Sequence, residues 1–152
     1  MDLLKLTGKY NLKIIDRNGK LKEDITVNNL VTSAGKALLA SLCGDASANP
    51  FTYIAVGTSS TAVSVGQTAL IAETTTNGLQ RASGTVDRTT TSVNNDTYRI
   101  TKTFTATGTV AVEEVGIFNA SSSGTMLSRA LTTTKTILNG EQLIVTYTLA
   151  FA

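Results

Sequence analysis

Residues 9–27 read KYNLKIIDRNGKLKEDITV, two strand-like stretches joined by a turn. In the first stretch apolar and polar side chains alternate, and this period of two is typical of a strand with one buried face. The turn contains Asn18-Gly19, a strong hairpin signal because both residue types accept a positive φ. The sequence therefore predicts a β-hairpin with its turn at residues 16–19. The apolar set is Tyr10, Leu12 and Ile14, and the polar set is Lys9, Asn11 and Lys13.

One helix is predicted over residues 32–42. Thr32 or Ser33 can cap its first turn, an apolar stripe follows at helical spacing, and Gly44 can end it. Gly35 lowers helix stability by about 1 kcal/mol relative to Ala, so we expect tertiary packing to hold this helix. The side chains expected to be buried here are Leu38, Leu39, Leu42 and Cys43, the one cysteine of the chain.

The remainder of the chain is predicted to be strands and turns. Residues 58–72 are small and polar, typical of a long loop, with one helical turn expected at residues 68–72. With the hairpin, about seven or eight strands and one helix indicate an all-β fold, a β-sandwich or jelly roll. We expect an N-terminal arm and hairpin over residues 1–28 and a sandwich over residues 29–152, forming one compact unit. The further strands are predicted at residues 52–57, 80–88, 97–107, 114–119, 125–131 and 142–151.

The composition favours a surface that packs against other proteins. Charged residues are 16% of the chain, below the roughly 25% typical of globular domains. Threonine takes their place with 27 residues, and this β-branched side chain suits the outer face of a sheet. The net charge of +2 is too small to indicate nucleic-acid binding. No stretch approaches the ~20 apolar residues of a membrane span, and no signal peptide is visible.

Side chains suited to catalysis are scarce. The chain has no histidine, which removes the usual general base and the usual zinc ligand. Glu113 and Glu114 are adjacent, so in a strand they point to opposite faces, and we expect them at the start of a strand on the solvent edge. Gly57-Thr58-Ser59-Ser60 lacks the lysine of a phosphate-binding loop. The sequence predicts a protein that is not an enzyme and has no cofactor and no metal.

Three segments together resemble small structural proteins of tailed bacteriophages. The first is residues 8–44, a basic strand and hairpin followed by NLVTSAGKALL at residues 29–39. The second is YIAVGTSSTA at residues 53–62, continuing to QTAL at 67–70. The third is EEVGIFN at residues 113–119, followed by GTMLSRA at 124–130 and the strand over 143–151. Some members of this group are similar to capsid decoration (cement) proteins and others to parts of tail fibres.

The resemblance implies a virion protein made in the host cytoplasm, and two roles stay open. A decoration protein would bind the major capsid protein on the capsid exterior and stabilise the shell. A tail-fibre or baseplate component would take part in host attachment. The chain lacks a coiled shaft, so we expect decoration; a cellular adhesion module, which would normally carry a signal peptide, is a third and weaker possibility.

The N-terminal hairpin is the predicted docking element, and a homotrimer is the predicted assembly, because oligomers are usually closed and symmetric. Its basic side chains could meet an acidic capsid surface and make attachment salt-sensitive. The alternative is that the hairpin is the edge of the sandwich, with lysines that deter edge-to-edge pairing. The predicted contact residues are Lys5, Lys9, Lys13, Arg17, Lys20 and Lys22.

Overall fold

The predicted N-terminal hairpin is present in the computed structural model, which describes residues 3–152. Strands β1 (Leu6–Ile15) and β2 (Leu21–Asn28) pair antiparallel. In the connecting turn only Gly19 has a positive φ, at 80°. The Asp16 carboxylate fixes the turn by accepting hydrogen bonds from the amides of Asn18 (2.8 Å) and Lys20 (3.0 Å). Met1 and Asp2 of the predicted arm lie outside the described residues.

Two antiparallel sheets and one helix make up the remainder of the fold, so the predicted all-β class with a single short helix is confirmed for residues 3–152. Sheet A has the order β2-β1-β10-β7-β6, and sheet B has the order β3-β9-β8-β4-β5. The further elements are β3 (Leu30–Val31), α1 (Ser33–Leu42), β4 (Tyr53–Gly57), β5 (Ala82–Ser83), β6 (Thr85–Thr89), β7 (Thr97–Thr105), β8 (Val110–Phe118), β9 (Met126–Ile137) and β10 (Gln142–Phe151).

The core lies between the two sheets. Strand β1 pairs with β10 along its whole length, from Leu6–Phe151 to Ile15–Gln142, so the hairpin is an integral part of sheet A. Both strands send alternate apolar side chains inward, as their period of two predicts. The sheets are also joined by a buried hydrogen bond of 2.6 Å between the Tyr10 hydroxyl and Ser128 Oγ. The inward set on β1 and β10 is Tyr10, Leu12, Ile14, Leu143, Val145, Tyr147 and Leu149.

The predicted strand over residues 80–88 is two strands in different sheets. Strand β5 pairs with β4 in sheet B, and β6 pairs with β7 in sheet A. The chain changes sheets at Gly84, where an added Cβ would lie 2.7 Å from the side chain of Ile100. The hairpin of β8 and β9 is longer than predicted and contains two register shifts. Residues 68–72 form no helical turn.

Helix α1 begins as predicted, with Thr32 as its N-cap. Thr32 Oγ1 accepts the Gly35 amide at 2.9 Å and donates to the Met126 carbonyl at 2.5 Å, which ties the helix start to β9. Gly35 faces β9 so closely that a Cβ would lie 2.4 Å from the Leu127 carbonyl oxygen. This residue, expected only to weaken the helix, allows it to dock.

The end of α1 differs from the prediction. The C-cap is Cys43 in a right-handed conformation, and not Gly44. Cys43 is exposed, so the expectation of a buried thiol is wrong. Leu38, Leu39 and Leu42 are half-buried against the core where full burial was expected, because α1 covers an end of the sandwich and keeps one side in solvent.

Within residues 3–152, α1 falls short of the length and apolar character that a membrane span requires.

Candidate functional site

The outer side of sheet A is uncovered, and we call it the open face. Its outward side chains are exposed or half-buried except at one end, where Thr97 and Ala150 are buried. One row of Thr and Asn crosses all five strands in register, and two of its members, Thr101 and Thr146, are joined through their hydroxyls at 3.2 Å. The next row carries charges. The polar row is Thr26, Asn11, Thr146, Thr101 and Thr85, and the charged row is Asn28, Lys9, Thr148, Arg99 and Asp87.

The six predicted contact residues do not form one patch. Lys9 and Lys13 lie on the open face, with Lys13 opposite Asp24 of β2. Lys5 is exposed just before β1 and exchanges backbone hydrogen bonds of 2.6 and 3.0 Å with Ala152. The other three, Arg17, Lys20 and Lys22, lie at the opposite end of the sheet, in and beside the hairpin turn.

The side chains of two of these three turn residues make contacts within the chain. Arg17 Nε donates to the Asn139 carbonyl at 2.7 Å, which joins the two neighbouring turns. Lys22 Nζ lies 3.0 Å from Glu141. Burial opposes ionisation of Glu141, but the Leu138 amide and the Lys22 ammonium outweigh it and hold the pKa of the carboxyl below its ordinary value. Lys22 therefore has a structural role in the chain itself.

A larger share of the acidic side chains than of the basic side chains makes hydrogen bonds or ion pairs within the chain. Of the eleven acidic residues, all except Asp2, which lies outside the described residues, accept a hydrogen bond or ion pair from within the chain. Within residues 3–152 the basic side chains without an ion-pair partner are Lys5, Lys9, Lys13, Arg17, Lys20, Lys36, Arg88 and Lys102. Five acidic side chains of the described residues, namely Asp16, Asp24, Asp45, Asp96 and Glu113, also lack an ion-pair partner, although each accepts a hydrogen bond. Unpaired cations therefore outnumber unpaired anions by eight to five, and the charge left for external partners is positive.

Residues 58–81, which we call the strap, cover the outer side of sheet B from β4 to the adjoining halves of β8 and β9. The far end of the β8–β9 hairpin, at Ala111 and Thr136, stays exposed. Leu70 of the strap packs with Ala55, Phe118 and Met126 in a second apolar cluster. Gly116 makes room for it, because a Cβ there would lie 2.9 Å from Leu70 Cδ2. Arg81 at the end of the strap stacks its guanidinium 3.6 Å above the Phe118 ring. The two sheets therefore differ on their outer sides: the strap packs on that of sheet B, and that of sheet A is uncovered.

A buried ion pair anchors the strap. Arg129 Nε donates to Glu114 at 2.7 Å, and the same carboxylate accepts the Ile71 and Ala72 amides at 3.1 and 2.7 Å. Arg129 Nη1 reaches Gln67 at 3.1 Å. Glu114 is 0% exposed, so its expected place at the solvent edge is wrong. The bulge between Val112 and Glu114 turns Glu114 to the strap side of β8.

The Glu114–Arg129 pair could not be predicted from the sequence, for a physical reason. Its two members are 15 residues apart, and only the strand register of β8 and β9 brings them together. The available signal is the setting of each charge among apolar neighbours, in VEEVGIF for Glu114 and LSRAL for Arg129. Charged residues in such runs are rarely fully buried unless they are paired.

Comparison with known proteins gives no match to a family model, a curated protein or a solved structure. Within residues 3–152, no group of three or more His, Cys, Asp or Glu side chains is placed to hold a metal ion. The open face and its unpaired cations are the candidate functional site of this chain.

Proposed function

We propose that this protein is a structural component of a tailed-bacteriophage particle that decorates the capsid exterior and works by binding, with no catalytic role. The observation that carries the proposal is the charge asymmetry: within residues 3–152, eight basic side chains lack an ion-pair partner against five acidic ones, and three of the eight, Lys5, Lys9 and Lys13, lie in or just before β1. An acidic surface on the major capsid protein would complement them.

The open face suits such contact in size and chemistry. Five strands at ~4.8 Å spacing and about eight residues at ~3.4 Å each give an area on the order of 600 Å². This approaches the ~800 Å² that each partner buries in a standard interface. Threonine hydroxyls require less desolvation than charged groups, so a surface dominated by them loses water at low cost. The lysines would set orientation and association rate.

The hairpin cannot be tested by deletion. Strand β1 supplies Tyr10, Leu12 and Ile14 to the core and pairs with both β2 and β10, so removing residues 1–28 would unfold sheet A. Reversing the outward charges of Lys9, which is exposed, and Lys13, which is half-buried, leaves the core residues unchanged and tests the surface directly.

The test measures binding to particles purified from a phage lysate in which the gene for this chain has been deleted. We expect Lys9→Glu with Lys13→Glu to weaken binding by about tenfold or more at low salt, because two attractive contacts become repulsive. Lys36→Glu with Arg88→Glu is the matched control, since both side chains are exposed outside the open face and the net charge changes equally. Equal binding by wild type and the Lys9/Lys13 variant would refute docking through this face.

A further inference from the structure

An apolar pocket of about 320 Å³ opens beside α1, at the end of the sandwich where the chain terminates. Its volume is roughly twice that of a ~150 Å³ cavity able to hold benzene. Its walls come from α1, the loop before β4, and the end of sheet A. The Tyr98 hydroxyl, one polar group in the wall, donates to the Phe51 carbonyl at 2.6 Å. The principal wall residues are Leu39, Leu42, Pro50, Phe51, Tyr98 and Phe151.

Two adjacent leucines stand in solvent at this same end. Leu3 is 84% exposed and Leu4 is 69% exposed. They precede β1, whose first residue, Leu6, pairs with Phe151 of the pocket wall. The reciprocal backbone hydrogen bonds of Lys5 and Ala152 extend the β1–β10 ladder. Leu3 and Leu4 therefore continue from the end of this ladder and are not among the residues that line the pocket of their own chain.

We propose that Leu3 and Leu4 of one copy occupy the apolar pocket of a second copy and that this exchange closes a symmetric oligomer. Arm and pocket match in chemistry, since each is apolar, and among residues 3–152 of one chain neither has an apolar occupant or cover. An arm that enters a neighbour's pocket makes a head-to-tail contact, which closes a ring when the rotation between copies divides a full turn; the trimer predicted above would be a ring of three. The pocket and the open face use different side chains, so self-assembly is independent of capsid docking.

Cys43 provides a direct test of this contact, because it is exposed and follows the pocket residue Leu42. We expect Leu4→Cys, which keeps Leu3, to form a disulfide to Cys43 of another copy under mild oxidation, since docking brings the two Cα atoms within about 7 Å. Non-reducing electrophoresis and peptide mapping would show the linked chains. Ser122→Cys is the control, an equally exposed thiol on a loop away from the arm. A disulfide formed within one chain, or equal cross-linking by the control, would overturn the proposal.

Sedimentation of the full-length chain gives the second test. Wild type should sediment as an oligomer, and Leu3→Ser with Leu4→Ser should shift it toward monomer, with a dissociation constant raised about tenfold or more. Both leucines lie outside the core, so folding should be unchanged, as circular dichroism would verify. A monomeric wild type, or an oligomer unaffected by both substitutions, would overturn the proposal whether or not the protein binds capsids.

Discussion

Arg129 and Glu114 place opposite full charges in the interior, where desolvation is expensive. Arg129 is 1% exposed and Glu114 is 0% exposed. The carboxylate is satisfied by the guanidinium and two strap amides, whereas Arg129 Nη2 has no hydrogen-bond partner within residues 3–152. The strap therefore depends on Glu114 for both charge compensation and backbone hydrogen bonds.

Replacing Glu114 with Ala should lower the free energy of unfolding by about 3–5 kcal/mol, because Arg129 would remain buried without a counter-charge. Urea denaturation measures this loss. Asp87→Ala is the control, because its ion pair with Arg99 lies on the open face with both side chains substantially exposed. It should shift the midpoint far less. Equal losses for the two variants would show that burial does not set the strength of these pairs.

Gly35 is a second residue whose identity determines the packing, because its lack of a Cβ lets α1 approach β9. Ala is intrinsically favoured over Gly in a helix by about 1 kcal/mol. At this position, however, the added methyl would meet the Leu127 carbonyl at 2.4 Å, and backbone atoms cannot move aside easily. Gly35→Ala should therefore destabilise the protein by about 1–3 kcal/mol in urea denaturation. Ser41→Ala, at an exposed position of α1, should stay within about 0.5 kcal/mol of wild type. A gain in stability for Gly35→Ala would contradict the close contact between α1 and β9.

Among the elements, the loop of residues 90–96 is held by one carboxylate. Asp96 accepts hydrogen bonds from the amides of Val93 (2.7 Å), Thr91 (2.7 Å) and Ser92 (2.8 Å). The Val93 amide, followed by that of Thr91, holds the pKa of Asp96 well below its ordinary value. The Asp96 carbonyl also accepts the Phe151 amide at 3.1 Å, so the loop supports the last strand.

This loop predicts a pH-dependent stability. A carboxyl whose pKa is lower in the folded state stabilises the fold fully above about pH 4, and the contribution is lost as the pH falls through the folded pKa. Wild type should therefore have a higher thermal midpoint than Asp96→Asn at pH 7, and the difference should shrink as the pH falls from about 4 to 2. Thermal unfolding followed by circular dichroism at each pH measures it. A difference that stays constant over this range would rule out the carboxylate as its source.

The elements that could be predicted from sequence are those with a local signal. Strand β10 coincides with its prediction at residues 142–151 because its period of two is uninterrupted, and the β1–β2 hairpin follows from alternation and a glycine turn. The division at Gly84 and the extra length of β8 and β9 depend on which sheet a strand joins, and that is a tertiary property. Cys43 and the leucines of α1 were misjudged for the same reason, since the periodicity of a helix does not show how deeply it sits.

The two sheets of the molecule differ in how far their outer sides are covered. The strap packs on sheet B through Leu70 and Arg81 and through its hydrogen bonds to Glu114. The outer side of sheet A is polar and uncovered. The sequence predicted basic side chains as contact residues, and the fold places Lys9 and Lys13 on this exterior, while Lys22 is paired with Glu141. The difference between the two faces arises from the packing of the strap on sheet B, a tertiary property that local sequence does not encode.

Electron cryomicroscopy of intact particles, beside particles that lack this protein, would show whether it attaches to the capsid exterior through the open face as proposed. We expect additional density on the outside of the capsid, with β1 and the open face toward the shell and the strap toward solvent. Density confined to the tail or baseplate, or a capsid-bound protein whose open face points outward, would contradict this proposal.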